Sequence, residues 1–236
     1  MPERRAARAP SAYTGRTMNR AVLITDFDGT ITRTDFYEVA AARCLSPETP
    51  DYWSSYAAGK ITHFEAMAGI FRHIRCSERI IRAEVLPAMD IDPALPEAAG
   101  TLIRNGWDIV VVSNGSLWYI DIMLGELGAD LPRHGNPGRF IDGEGLILEL
   151  PKDSPYFSPQ HGIDKSLVVK DMQSRYERAA FAGNGPPDLP AALLVDPALR
   201  FARTWLADAL TERGERFHRF DRWSEISKIL IQKELT

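Results

Sequence analysis

The sequence predicts an α/β fold: a Rossmann-like parallel sheet flanked by helices, with an inserted α-helical cap domain. Three observations carry that prediction. Two short apolar runs, 21–25 and 108–113, each end in polar residues and read as buried parallel strands. The stretch between them has helical patterning throughout and is longer than one crossover helix needs. Beyond the second run, helix and strand signals alternate to the end, as they do in a sheet covered on both faces.

Taken in order, the first twenty residues hold Arg4, Arg5, Arg8, Arg16 and Arg20 against Glu3. They read as a basic, disordered leader without the apolar centre of an export signal, and Met18 offers an alternative start beside the first strand. Residues 21–35 and 93–236 form the expected core domain and 36–92 the expected cap. Within the cap, helices are predicted over 36–45, 52–58, 62–74 and 77–89, with turns at Ser46-Pro47 and Gly59-Lys60. A returning helix starts near Pro96 and stops at Asn105-Gly106, residues suited to a first turn and a C-terminal cap. After the second strand, Asp142-Gly143 predicts the turn of a hairpin over 140–147. Asp164 suits the cap of a helix through Arg175, and 179–182 is a short strand opening into Gly183-Asn184-Gly185. The run 199–202, a helix over 204–213 stopped by Gly214, a strand over 216–220 and a helix over 224–234 complete the alternation.

Composition narrows the function classes. With 236 residues, 44% of them hydrophobic, the chain can bury one substantial core and carry an appendage. Its formal charge is −4, and with the basic leader set aside the body stands at −8. An acidic body without a basic stripe argues against a nucleic-acid partner. No apolar run approaches membrane-spanning length. Two cysteines in helical segments, Cys44 and Cys76, do not suggest a disulfide framework, so a cytoplasmic location is expected.

The chemistry starts at Asp26-Phe27-Asp28-Gly29-Thr30. Two carboxylates that close repel, so a cation is expected beside them. Asp26 suits in-line attack on a metal-polarised phosphoryl group, giving an aspartyl-phosphate. Asp28 suits protonation of the leaving alcohol and then activation of water. Alone, the run reads equally well as an acidic turn after a buried strand.

It is followed, in order, by Ser113-Asn114-Gly115 after the second strand, Lys165 near a helix start, and Gly183-Asn184-Gly185-Pro186-Pro187-Asp188. With that set the chain resembles the haloacid-dehalogenase (HAD) superfamily. The resemblance implies a magnesium-dependent phosphatase acting on a small phosphomonoester. Ser113, Asn114 and Gly115 would hold phosphate through the hydroxyl and backbone N–H groups, with Lys165 offsetting charge. Asp26, Asp28, Asn184 and Asp188 would hold Mg²⁺. Asn184 departs from the aspartate usual there and removes one charge from the metal loop, which opens a rival reading as a catalytically silent phosphate-ligand binder.

A cap between the first two motifs resembles the subclass of phosphoserine phosphatases and methionine-salvage phosphatases. The closer likeness is to the latter, through 26–32 with Asp35 after it and through 200–206 running to Phe220-Asp221. It implies a substrate like 2-hydroxy-3-keto-5-methylthiopentenyl-1-phosphate, with phosphoserine or another biosynthetic ester as the alternative. Asp35 is either a substrate contact or the N-cap of the helix at Phe36. Trp53, Tyr56, His63, His73, Trp118, Tyr119 and His161 are candidates for the pocket, although packing is the commoner role of such side chains. The histidines show no zinc spacing.

Overall fold

The computed structural model describes residues 21–232. The leader at 1–20 and the predicted helical residues Lys233 and Glu234 lie outside them. Six strands form one sheet: β1 (Ala21–Thr25), β2 (Trp107–Ser116), β3 (Arg133–Asn136), β8 (Arg178–Gly183), β9 (Arg200–Ala202) and β10 (His218–Arg219). Their order is β10-β9-β8-β1-β2-β3, every neighbouring pair parallel. The chain leaves β1 toward β2 and β3, then returns to the other side of β1. The crevice at that reversal is where ligands bind in open α/β sheets.

Alternation along β1 divides the core. Ala21 and Leu23 face one apolar cluster and Val22 and Ile24 the other, all fully buried. The first face is covered by α5 (Leu95–Arg104), α6 (Leu117–Leu127) and α10 (Ser224–Gln232). The second is covered by α7 (Lys165–Arg175), α8 (Leu189–Ala192) and α9 (Thr204–Glu212). Asp164 caps α7 by accepting from the N–H groups of Ser166 and Leu167, as its position predicts. The hairpin also forms, as β4 (Gly138–Ile141) and β5 (Gly145–Leu148), with Gly143 at φ 85°.

Between β1 and β2 stand α1 (Phe36–Cys44), α2 (Tyr52–Ala57), α3 (His63–Phe71) and a helical segment over 78–88, α4, with a π turn at its centre. A capping box, Thr62 with Glu65, starts α3. The segment meets the rest of the chain through Phe64 N–H on Gln160 O and Glu78 N–H on an Asp142 carboxylate oxygen. Arg82 lies over the Trp118 ring, 5.7 Å from its centroid.

Three expectations are corrected. Cys44 and Cys76 form a disulfide, Cα atoms 5.2 Å apart, because the end of α1 pairs with the stretch after α3. That pairing, Leu45 bridging Ile74 and Arg75 N–H donating to Cys44 O, depends on contacts distant in sequence. Ser113-Asn114-Gly115 is not a loop after β2 but its buried C-terminal end, the strand continuing to Ser116. The short strands β3, β6 (Phe157–Ser158) and β7 (Gly162–Ile163) were not predicted, since runs such as Arg-His-Gly-Asn carry no alternation. Among the described residues no helix is long and apolar enough to cross a membrane.

Candidate active site

Asp26, the first residue past β1, is placed by the sheet itself, its N–H donating to Ala182 O at 2.9 Å. The parallel registers set the ends of β2 and β8 on either side of it. Lys165 enters from the first turn of α7, nearly fully buried. Its Nζ lies 2.8 Å from Asp26 Oδ1 and 2.6 Å from Asp188 Oδ1. Burial opposes the ammonium charge, but Asp188 and Asp26 outweigh it and hold Lys165 above its ordinary pKa. Burial first and the Asp188 charge second push Asp26 above the usual carboxylate range, with Lys165 pulling the other way. No hydrogen bond among the described residues takes Asp26 Oδ2.

Asp28 is held differently. Its Oδ1 accepts from Phe36 N–H at 3.0 Å, and its Oδ2 accepts from Tyr119 Oη at 2.6 Å and Ser113 Oγ at 3.3 Å. Burial raises its pKa, while these hydrogen bonds and Lys165 work against the rise. The carboxyl is thereby fixed in place. Gly115 makes room for the arrangement: a Cβ there would collide with Tyr119 Oη and lie 2.7 Å from Asp28 Oδ2. Asp28 thus takes the end of α1, and of the two roles open to Asp35 the cap is not made: its side chain has no capping hydrogen bond.

The structure brings Asp26, Asp28, Ser113, Asn114, Gly115, Lys165, Asn184 and Asp188 to one cavity of about 350 Å³. It also reassigns some of them. Asp188 Oδ1 faces Lys165, and its Oδ2 accepts from the N–H groups of Asn184 and Gly185 at 2.9 and 2.8 Å. The carboxylate expected as a metal ligand is instead the anchor of its loop, since the turn after Gly183 points those N–H groups back at it. Asp28, also expected to bind metal, has both carboxylate oxygens engaged by donors. The Asn114 amide is a tether, donating to Ile163 O at 2.6 Å, while Asn136 donates to Asn114 O at 2.7 Å. Gly115 N–H donates to Ser113 Oγ at 2.9 Å.

Magnesium prefers hard oxygen donors, needs few from protein and keeps several waters. The Asp26 carboxylate and Asn184 Oδ1, the latter accepting among the described residues only from Thr30 Oγ1 at 3.2 Å, suit such an ion. A cation beside Asp26 would also counter the burial that disfavours its charge. Among the described residues no group of three or more His, Cys, Asp or Glu side chains is arranged to hold a metal. The residues therefore fit a magnesium bound partly by substrate and water, with one charge fewer than a fourth-motif aspartate would give.

The rest of the cavity wall comes from Asp35 and, in the helical insertion, from Tyr37, Trp53, Tyr56, His63 and Met67. Tyr37, Met67 and the part played by Tyr119 escape sequence reasoning, because apolar positions on helices signal core and not cavity. Trp118 stacks on Phe140 instead, and His73 Nδ1 pairs with Gly69 O, so neither lines the cavity. His161 stands behind His63, ring centroids 5.2 Å apart.

Comparison with known proteins follows this geometry. A model of the haloacid dehalogenase-like hydrolase family matches residues 23–193. The chain is 24% identical over 216 residues to a 2-hydroxy-3-keto-5-methylthiopentenyl-1-phosphate phosphatase of Brevibacillus brevis, covering 90% of this chain and 96% of that one. In fold it is similar to a HAD family hydrolase of Salmonella enterica serovar Typhi, with a TM-score of 0.61 and 14% identity over 86% of this chain and 67% of that one. It is similar also to the phosphoserine phosphatase of T. onnurineus, with a TM-score of 0.56 and 17% identity over 93% of this chain and 98% of that one.

Proposed function

The chain belongs to the haloacid dehalogenase-like hydrolase family, and on that premise we propose that it is a magnesium-dependent phosphatase hydrolysing a small phosphomonoester through Asp26. One observation carries the reading. A carboxylate with one oxygen on Lys165 and the other unbonded opens into the same cavity as a second carboxyl, Asp28, held two residues away by three donors.

Asp26 Oδ2 attacks phosphorus in line and the ester P–O bond breaks. Asp28 gives its proton to the departing alkoxide, leaving an alcohol and an aspartyl-phosphate. A water then passes a proton to Asp28 and attacks the same phosphorus, freeing Asp26 and inorganic phosphate. Ser113 and Lys165 stand where they can stabilise the phosphoryl oxygens. Bound magnesium, held by Asp26 and Asn184, would neutralise phosphoryl charge. The helical insertion, 36–92, serves as the cap over the reacting group.

The Brevibacillus relative supports a finer reading, a substrate like 2-hydroxy-3-keto-5-methylthiopentenyl-1-phosphate. The neutral Asn184 favours the rival, a silent phosphate-ligand binder. Turnover of a panel of phosphorylated metabolites with and without magnesium separates them. Wild type should release phosphate only with the metal and form a beryllofluoride adduct that Asp26→Asn cannot form. Full activity in Asp26→Asn would overturn the mechanism, and no turnover of any ester would favour the silent binder.

A further inference from the structure

We propose that the cavity above Asp26 takes a leaving alcohol with a largely apolar body and no anionic group of its own, an assignment that rests on the phosphatase reading above. The wall is a connected set of rings. Trp53 lies 5.2 Å from Tyr37, 5.9 Å from Tyr56 and 5.7 Å from His63, centroid to centroid, the first two pairs edge-to-face. Met67, a flexible apolar side chain, adjoins them in the cavity lining.

Charge points the same way. Among the described residues Lys165 is the one lysine or arginine that lines the cavity, and it is already bound between Asp26 and Asp188. His63 offers no replacement, because burial, followed by His161 and Lys165, lowers its pKa to about 4 and leaves the ring neutral. Asp35, whose side chain has no hydrogen bond among the described residues and whose pKa burial and the Asp28 charge raise to about 7, adds an acidic group and no cation to the same wall. A carboxylate on the leaving group would be desolvated here with no free lysine or arginine among the described lining residues to pair with. The amino-acid part of phosphoserine is therefore a poor fit, and an alcohol with an aromatic, alkyl or thioether body a good one.

Binding of two non-hydrolysable probes tests this with the full chain and magnesium: 3-phenylpropylphosphonate, isosteric with phenethyl phosphate, and 2-amino-4-phosphonobutanoate, isosteric with phosphoserine. Calorimetry should give the phenyl probe at least tenfold tighter binding. Trp53→Ala should reduce that preference at least fivefold. Should Trp53→Ala fail to fold, Tyr56→Arg at a partly exposed position should tighten binding of the amino-acid probe at least fivefold. Equal affinities or the reverse order would overturn the assignment, as would a folded Tyr56→Arg that leaves the amino-acid probe unchanged. Tighter binding of the phenyl probe by a protein that turns over no ester of the metabolite panel would sink the phosphatase reading while leaving the cavity's apolar preference standing. Failure of both probes to bind would overturn the assignment and leave the phosphatase reading to the panel.

Discussion

Asp28 needs two protonation states at one position, and its surroundings answer that need residue by residue. Burial raises its pKa, and three donors keep the carboxyl from turning away. Tyr119 makes the shortest of these bonds, at 2.6 Å, and its ring stacks on Phe36 with centroids 4.3 Å apart. Tyr119→Phe should keep the stack and lose only the bond. A fall in kcat of about ten- to a hundredfold is expected, toward the low end of what positioned acid–base groups contribute. KM should stay within about threefold and Tm nearly constant, since the bond's net stability share is about 1 kcal/mol. Unchanged kcat would remove Tyr119 from the positioning of Asp28. Sequence put Asp28 two residues after Asp26 but could not show Tyr119 reaching it, because the contact depends on how β2 runs straight into α6.

At the scale of elements, the helical insertion is built from short helices that could not stand alone. Helix α2, for example, buries no residue fully. The cavity wall depends on packing α1 to α4 together, and the Cys44–Cys76 disulfide, spanning 32 residues, ties the end of α1 to the stretch after α3. In the chain-entropy account a closed loop of this size stabilises by about 3–4 kcal/mol. Reduction, or Cys44→Ser with Cys76→Ser, should lower Tm by several degrees. The reduced wild type and the double variant should then melt together. Equal Tm with and without reductant would show that the bond adds nothing. This disulfide is the plainest failure of sequence reasoning here, since cysteine count and helical patterning both argued against it.

Across the whole molecule, the family match ends at residue 193, but the sheet does not. Strands β9 and β10 continue it beyond β8, and α10 packs against α5 on the face that carries Ala21 and Leu23. Trp223, fully buried, donates from Nε1 to Thr25 Oγ1 at 3.0 Å, and Thr25 Oγ1 donates to Asp26 O at 2.9 Å. The C-terminal segment thus supports the backbone of the proposed nucleophile. Trp223→Ala should destabilise by about 3–5 kcal/mol, the usual cost of such a cavity. Urea midpoints measure it, and a loss below about 1 kcal/mol would mean that the segment is peripheral. The sequence by itself determined the α/β class, the cap at Asp164, and the presence of Asp26, Asp28, Ser113 and Lys165 at strand and helix ends. Those features are local, written in periodicity, turn residues and short motifs. Only the tertiary structure decided that Asp188 anchors a loop beside Lys165, that Tyr119 holds Asp28, that Cys44 meets Cys76, and that aromatic rings roof the cavity. Each of these depends on which surfaces meet once the sheet and the insertion have packed, and spacing along the chain carries no record of that.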